Sequence, residues 1–358
     1  MFKQFESTVE KKRKFFGKAS INTIRDSPGT YQEPVYYGLF VSEWVVTDYS
    51  INALKSGQIS LPYDILGFYT GTIDWGDGNV TPNNYDNSTH SYSSNGTYRI
   101  VINGYVTGFN FNNSGDKLKI KKIISWGLLR GLNNDNSNMF YGCADLKIND
   151  VVNQIDLKDI TSTSNMFRNC TSIDKINKIE NWDFSTVQDT SGMFRGANIF
   201  DDEVGGWDMT NVKNMSYMFS GASSFNQYLG GWNVESLTGA TDMLDSCGMN
   251  VLNYSDTLIA WSENSNIQSN VSLGAKSIYY SDYAIYARNY LTGATKNWLI
   301  TEDLRAPLII KIYYSSVYSN FTLPYLSNGT YSGTIDWGDG YTSGNSFTNK
   351  THAYGTTG

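Results

Sequence analysis

The sequence predicts a mainly β protein in which a stacked solenoid with an α/β C-terminal cap lies between two copies of a small β-sandwich. The first observation is a Met-Phe or Met-Leu pair that recurs five times between residues 138 and 252. The second is a block of turn and strand residues near position 70 that returns 262 residues later. The third is a composition rich in tyrosine (26 copies) and poor in proline (6), which is typical of ordered, β-rich chains.

The repeat is defined by positions that keep a fixed distance from each methionine. The methionines are 27, 27, 25 and 25 residues apart, namely Met139, Met166, Met193, Met218 and Met243. Eleven residues before the last four stand Ile155, Trp182, Trp207 and Trp232, and six residues before them Ile160, Val187, Val212 and Leu237. Four residues after each methionine comes a small residue, namely Cys143, Cys170, Ala197, Ala222 and Cys247. Phased apolar positions at this period predict coils that bury their faces against their neighbours.

The duplicated block reads as strands joined by tight turns. LPY at 61–63, GTIDWGDG at 71–78 and THSY at 89–92 return at 323–325, 333–340 and, as THAY, at 351–354. Its turn residues are Asp74, Trp75, Gly76, Asp77 and Gly78 in the first copy and Asp336, Trp337 and Asp339 in the second. The two histidines of the chain, His90 and His352, are the same position in the two copies. We therefore predict a role in turn packing for them, because a catalytic histidine would have no reason to occur once in each copy.

The first residues are basic in an otherwise acidic chain. Residues 1–25 hold seven Lys or Arg against two Glu, a charge of +5, so the total of −7 leaves −12 for the rest. The acidic body argues against a nucleic-acid groove. Phe2, Phe5, Val9 and Phe16 have helical spacing, which favours a docking arm that packs on a partner chain. A poorly ordered basic tail and a nucleic-acid tail are the alternatives, and no secretion signal is recognised.

These observations divide the chain into five segments. We predict a basic docking arm at 1–34, a sandwich at 35–116, a solenoid at 117–250, a cap at 251–303, and a second, incomplete sandwich at 304–358. We expect the missing strand of the second sandwich to come from a chain that continues past Gly358, and the alternative is a strand supplied by a partner. The solenoid is expected to begin with a strand containing Leu118, Ile120, Ile123 and Ile124. The cap should hold two helices, the first with Asp256 as its N-cap and the second with Ser281 or Asp282.

Two stretches carry a resemblance to known families. MFRGANIFDDEVGGWDMTNVKNMSYMFSGASSFNQYLGGWNV resembles the BspA-like leucine-rich-repeat family of bacterial surface proteins. GTIDWGDG, with THSY and GTYRIVI, resembles the polycystic-kidney-disease (PKD) fold, an immunoglobulin-like sandwich. The order of modules is similar to multi-domain proteins of Bacteroidetes and their phages. The resemblance implies a surface protein with adhesive modules.

Residues that can carry chemistry are few. The cysteines sit at the small-residue position of the repeat, without a CxxC pair or a nearby histidine, so neither a zinc site nor thiol catalysis is predicted. Asp201, Asp202 and Glu203 are expected to form a solvated loop, with a surface Ca²⁺ site as the alternative. The repeat tryptophans are expected in the core, with a sugar-stacking ladder as the alternative. Binding groups are sought among residues that vary between units, such as Arg168, Arg195, Tyr217, Gln227 and Tyr228.

We therefore predict a non-enzymatic virion structural protein, a fibre or decoration protein of a phage or virus. Residues 1–40 would anchor it to other virion proteins, and its modules would bind a glycan or protein on the host surface, in many copies or as a homo-oligomer. No cofactor, nucleic acid or membrane span is expected. The alternatives are a bacterial cell-surface adhesin and a glycan-binding accessory region of a larger secreted protein.

Overall fold

The computed structural model describes residues 38–47, 57–307, 320–323, 334–337, 341–346 and 348–353, so the predicted basic arm lies outside them. The chain divides into two compact units, Met1–Ala306 and Pro307–Gly358, which are described separately. The mainly β class is confirmed. The described residues contain two α-helices, α1 at Val251–Glu263 and α2 at Ile285–Thr292, and short 3₁₀ helices at Ile179–Asn181 and Asp282–Ala284.

The first unit begins with an antiparallel sheet. The strands before the coils are β1 (Leu39–Val46), β2 (Gln58–Ser60), β3 (Thr72–Asp74), β4 (Val80–Pro82), β5 (Thr89–Ser91), β6 (Gly96–Asn103), β7 (Tyr105–Thr107), β8 (Ile120–Trp126) and β9 (Leu128–Arg130). Five of them form a sheet in the order β4-β3-β6-β1-β8, while β2 pairs with β5 and β7 with β9. Successive side chains of a strand point to opposite faces, so Phe40 and Trp44 of β1 and Ile100 and Ile102 of β6 enter one core.

Strand β8 connects the sheet to the solenoid. One edge pairs antiparallel with β1, from Phe40↔Trp126 to Trp44↔Ile120. The other edge bonds the first coil, where the Ile123 amide donates to the Lys147 carbonyl at 3.1 Å. The predicted first strand of the solenoid is therefore also the last strand of the sheet. One hydrophobic core runs through this junction, from Phe40 to Ile300.

Each Met-Phe pair lies in a turn that stacks on the turn of the next coil. Bonds of 2.8–2.9 Å join the amides of Thr163, Asn165, Phe167 and Asn169 to the carbonyls of Asp189, Ser191, Met193 and Arg195. The residue before each methionine has positive φ, and these residues are Asn138, Asn165, Gly192, Tyr217 and Asp242. The residue three positions after each methionine also has positive φ, and these residues are Gly142, Asn169, Gly196, Gly221 and Ser246. Asn and Gly dominate both positions because they adopt the left-handed region at the lowest cost.

Aromatic rings repeat through the core at the spacing of the coils. Phe140, Phe167, Phe194 and Phe219 stack with centroids 5.7, 5.6 and 6.0 Å apart. Trp182, Trp207 and Trp232 form a second stack, 6.4 and 6.3 Å apart and within 4° of parallel. These rings fill the space between successive coils, which is why the sequence keeps them in phase.

The cap continues the ladder without the sequence motif. Its strands are β10 (Ser272–Gly274), β11 (Tyr279–Tyr280), β12 (Leu299–Thr301) and β13 (Leu304–Arg305), paired in parallel as β10–β12 and β11–β13. The Ala240 amide donates to the Ser272 carbonyl at 3.1 Å, so β10 takes the place of the next turn. The prediction of Asp256 as the first N-cap is wrong. Asn250 caps α1 by accepting the Asn253 amide at 2.9 Å, and Asp256 instead accepts the Tyr283 hydroxyl.

The predicted start of the second cap helix agrees more closely with the structure. A 3₁₀ turn at Asp282–Ala284 follows Ser281 and leads directly into α2. Neither Ser281 nor Asp282 caps α2 itself, because Ala284 holds that position without a side-chain bond. Asp282 instead pairs with Arg305 at 2.5 Å.

The second unit repeats the pairing of the first copy. Its described strands are β14 (Asn320–Thr322), β15 (Thr334–Asp336), β16 (Thr342–Gly344) and β17 (Thr351–Ala353), paired as β14–β17 and β15–β16. Phe321↔His352 matches Ile59↔His90 of β2–β5, and Ile335↔Ser343 matches Ile73↔Thr81 of β3–β4. Every position in these pairs is displaced by 262 residues, so the duplication in sequence is a duplication of register.

Candidate functional site

The histidine of the first copy lies on the tryptophan of the GDG turn. The His90 ring stacks on Trp75 with centroids 4.9 Å apart, and its Nε2 lies 2.8 Å from Asp77 Oδ2. Burial opposes the charge of Asp77, but hydrogen bonds from His90 and Asn79 lower its pKa from the ordinary value. Tyr92 packs edge-on against His90 and donates to the Trp75 carbonyl at 3.0 Å. His90 is thus held by two groups of the GDG turn and by Tyr92, which follows its own strand.

The second copy has the same arrangement. Trp337 and His352 are stacked with centroids 4.9 Å apart. Trp337 Nε1 donates to Ser343 Oγ at 3.0 Å, as Trp75 Nε1 does to Thr81 Oγ1. Asp339 lies outside the described residues. A geometry that recurs in both copies is what packing of the turn requires.

The repeat methionines and tryptophans form the interior of the solenoid. Met166, Met193 and Met218 have no exposed surface, and Trp182, Trp207 and Trp232 are 2–3 % exposed. Trp207 and Trp232 each donate Nε1 to a carbonyl 28 residues earlier, at 2.8 Å. Rings buried in this way present no face to a sugar.

The three cysteines are buried and free. Burial raises the pKa of Cys247 to about 11 and raises those of Cys143 and Cys170 further. The Cys170 thiol points at the Phe140 carbonyl, at 3.0 Å. These thiols stay protonated at neutral pH and fill the small-residue position of their coils.

The carboxylates at 201–202 join neighbouring coils. Asp202 accepts the Ile176 amide at 2.8 Å, and Asp201 accepts the Asn226 amide and the Gln227 side chain at 2.8 and 2.7 Å. Partial burial raises the pKa of Asp202, although hydrogen bonds from the Ile176 and Glu203 amides oppose the shift. Within the described residues, no three His, Cys, Asp or Glu side chains are arranged to hold a metal ion. The loop is therefore tied to the ladder by its own carboxylates.

The variable residues singled out from the sequence fall into two groups. Arg168, Arg195 and Tyr217 lie together beside the Met-Phe turns, and the structure adds Tyr141, which the sequence reasoning missed. The Arg168 guanidinium carbon lies 4.9 Å from the Tyr141 ring centroid, and that of Arg195 lies 4.5 Å from the Tyr217 centroid. All four side chains are partly exposed. We call these four residues the arginine stripe.

Tyr228 belongs to the second group and lines a cleft beside the cap. This open cleft has a volume of about 400 Å³ and is lined by Tyr228, Asn253, Asp256, Ile259, Ala260 and Glu263. Five of these residues come from α1, which brings Asp256 and Glu263 to the same face, two turns apart. Gln227, the neighbour of Tyr228, is engaged with Asp201 and does not line the cleft.

An exposed row of tyrosines lies next to the cleft. Tyr283, Tyr286 and Tyr290 are 51 %, 85 % and 40 % exposed and are three and four residues apart, the spacing of one helical face. The Tyr283 hydroxyl donates to Asp256 Oδ1 at 2.9 Å, which joins the row to the cleft. Exposed tyrosines and acceptor carboxylates together suit a ligand with apolar faces and many hydroxyl groups. We call this surface the tyrosine cleft.

Comparison with known proteins finds a family match for one segment of the chain. Residues 134–256 match the model of a family described as Mycoplasma protein of unknown function, DUF285. The match spans the described coils and the first half of α1. No curated protein and no solved structure matches the chain. Residues 134–256 are thus similar to the DUF285 family, which agrees loosely with the resemblance to BspA-like surface proteins.

Proposed function

We propose that this chain is a non-enzymatic attachment protein, displayed on the outside of a virion or cell, whose solenoid and cap contact a glycan or protein on a host surface. The observation that carries the proposal is the tyrosine cleft. Tyr228, which is 45 % exposed, lines the cleft together with two carboxylates of α1. Tyr283 donates to one of these carboxylates, and three residues further on Tyr286 is 85 % exposed. Tyrosine side chains offer large contact areas at a low cost in conformational entropy.

A rigid scaffold supports this function. Backbone hydrogen bonds connect every coil to the next from Met139 to the cap, and stacked rings accompany them as far as Trp232. Surface side chains mounted on such a ladder are held at a fixed spacing, which favours weak contacts that add up over many displayed copies. Within the described residues, no helix has the length and apolar character that a membrane crossing needs.

We propose three settings for this binding role. The basic segment 1–25, with its phenylalanines at helical spacing, supports a virion protein that docks on other virion proteins in many copies. The match to a family described from Mycoplasma supports a bacterial cell-surface adhesin. A glycan-binding accessory region of a larger secreted protein is the third form of the same binding role.

Quantitative mass spectrometry of purified particles and of washed cell envelopes distinguishes a virion protein from a cell-surface adhesin. Peptides in the particles at a fixed ratio to the major capsid protein, including peptides from residues 1–25, are expected for a virion protein. Peptides confined to the envelope are expected for an adhesin. Recovery from the soluble cytosol alone would overturn surface display.

A binding assay tests the surface itself. We expect Tyr286→Ala and Tyr228→Ala to weaken attachment of the purified chain to host cells by about tenfold each, because exposed aromatic anchors dominate contact surfaces. Tyr85→Ala is the matched control, since Tyr85 is 42 % exposed but lies in the N-terminal part of the unit. Equal losses in all three variants would show that the cleft is not the contact site.

A further inference from the structure

The arginine stripe contains two guanidinium groups on neighbouring coils. Arg168 and Arg195 each stand two residues after a repeat methionine, and the Asn169 amide donates to the Arg195 carbonyl at 2.8 Å. Stacked strands lie about 5 Å apart, so the two side chains leave the ladder at roughly that separation. The coil before contributes Tyr141 and the coil after contributes Tyr217.

Each guanidinium is held by a tyrosine rather than by an acid. Arg168 lies over Tyr141 and Arg195 over Tyr217, on opposite sides of the pair. A cation over an aromatic face is attracted by the ring but keeps its N–H donors at the edge of the group. The tyrosines therefore fix the position of the cations without using their hydrogen bonds.

The donors of these two arginines are largely unused. Arg168 makes one long bond, from Nη1 to Asn165 Oδ1 at 3.4 Å, and its buried Nε has no partner among the described residues. The Arg195 guanidinium makes no hydrogen bond to the described part of the chain, and neither arginine has a carboxylate in ion-pair range there. The four other described arginines, at 99, 130, 288 and 305, all pair with Asp or Glu. In a chain of net charge −7, this contrast indicates that the stripe is kept free for an external anion.

Hydroxyl groups adjoin the cations. Asn165, which accepts from Arg168, donates to Ser164 Oγ at 3.2 Å, and Ser164 shares a hydrogen bond of 3.0 Å with Ser191 Oγ on the next coil. Hydroxyl and amide groups of this kind both donate and accept, as the hydroxyls of a sugar do. Cations and hydroxyls in one row match a ligand that carries both anions and hydroxyl groups.

We propose that the arginine stripe binds an acidic glycan, with carboxylate or sulfate groups on Arg168 and Arg195 and sugar hydroxyls on Ser164 and Ser191. The inference rests on the proposed attachment function and names a ligand class and a site separate from the tyrosine cleft. Arginine suits this ligand because its planar fork pairs with carboxylate and sulfate oxygens through two parallel hydrogen bonds.

The test measures binding of the purified full chain to polygalacturonate, which bears carboxylates, to dextran sulfate, and to uncharged dextran. We expect binding to at least one acidic polymer that weakens as salt is raised, and no binding to dextran. Arg168→Gln or Arg195→Gln should weaken it about tenfold, and the double variant further. Arg168→Lys should give an intermediate loss because it keeps the charge but not the fork.

Arg99→Gln is the control variant, since it removes the same charge from an arginine paired with Glu43. Equal loss in Arg99→Gln and Arg195→Gln, or no binding to either acidic polymer, would overturn the inference, provided that thermal unfolding shows each variant folded. Host attachment is scored in parallel. If attachment persists in the double variant, the arginine stripe is refuted as its site while the proposed function stands. If the wild-type chain binds an acidic polymer but no host surface, the stripe stands and the proposed function fails.

Discussion

Two tryptophans of one stack differ in a single hydrogen bond, which allows that bond to be measured. Trp207 Nε1 donates to the Ile179 carbonyl at 2.8 Å, whereas the buried Trp182 Nε1 has no partner among the described residues. Both rings are almost fully buried, Trp182 being 3 % and Trp207 2 % exposed, and they are parallel within 2°. Replacement by phenylalanine removes the indole N–H from each while keeping an aromatic ring in the stack.

The expected free energies of unfolding follow from these contacts. Both substitutions lose buried ring area, a cost of about 1–2 kcal/mol that they share. Trp207→Phe also loses a hydrogen bond worth about 1 kcal/mol, and no more because Ile179 keeps the bond from the Trp182 amide at 3.1 Å. Trp182→Phe instead removes a buried donor without a partner, which relieves about 1–3 kcal/mol. Trp207→Phe should therefore be the less stable variant by about 2–4 kcal/mol.

Urea unfolding followed by far-ultraviolet circular dichroism measures this difference, because the signal comes from the backbone and not from the replaced indole. Equal slopes with urea in the two variants are needed for the comparison. If Trp182→Phe costs as much as Trp207→Phe, the assignment of the hydrogen bonds in the stack is wrong.

Three further perturbations test other parts of the structure. Arg288→Leu should cost about 3–5 kcal/mol of unfolding free energy, because it removes the cation that pairs with the buried Asp303 carboxylate. Arg305→Leu removes an arginine from an exposed ion pair and should leave the melting temperature unchanged. Gly192→Ala should cost about 1–2 kcal/mol, measured by urea unfolding, because φ is +62° and the new Cβ meets an amide oxygen. Folding lowers the pKa of Asp77 below its ordinary value of 3.8. The stabilising contribution of this carboxylate is therefore present above pH 3.8 and is lost as the pH falls through the folded pKa. Asp77→Asn should therefore flatten the acid limb of the melting temperature measured against pH.

The sequence predicts the ladder because the coils repeat side chains as well as backbone. A ring such as Phe194 contacts the equivalent ring of the next coil, so the same residue type is favoured at the same phase in each unit. The cap follows different rules. There the backbone bond from Ala240 to Ser272 continues the ladder, and a backbone bond leaves no mark on residue choice. The continuation past residue 250 therefore could not be found from side-chain phase.

Local signals also failed where a distant partner decides the role of a side chain. Asp256 precedes an apolar run, as an N-cap does, but its carboxylate accepts the Tyr283 hydroxyl from a later turn. The contact of Tyr141 with a cation could not be predicted for the same reason, because its ring packs against Arg168 of the next coil, 27 residues later in the chain. One signal was available for the stripe: arginine occupies the same repeat position in two successive units, at 168 and 195.

Buried and exposed positions of a coil are under different physical demands. A substitution at Met193 or Phe194 disturbs the packing of both neighbouring coils, so these positions repeat. The position two after the methionine meets solvent, and it holds Tyr141, Arg168, Arg195, Ser220 and Asp245 in successive coils. Its charge is thus neutral in the first coil, basic in the next two, neutral in the fourth and acidic in the last, while the backbone ladder stays the same. A ladder of this kind allows ligand preference to change through single exposed residues, and the two basic coils are where an acidic ligand is expected to bind.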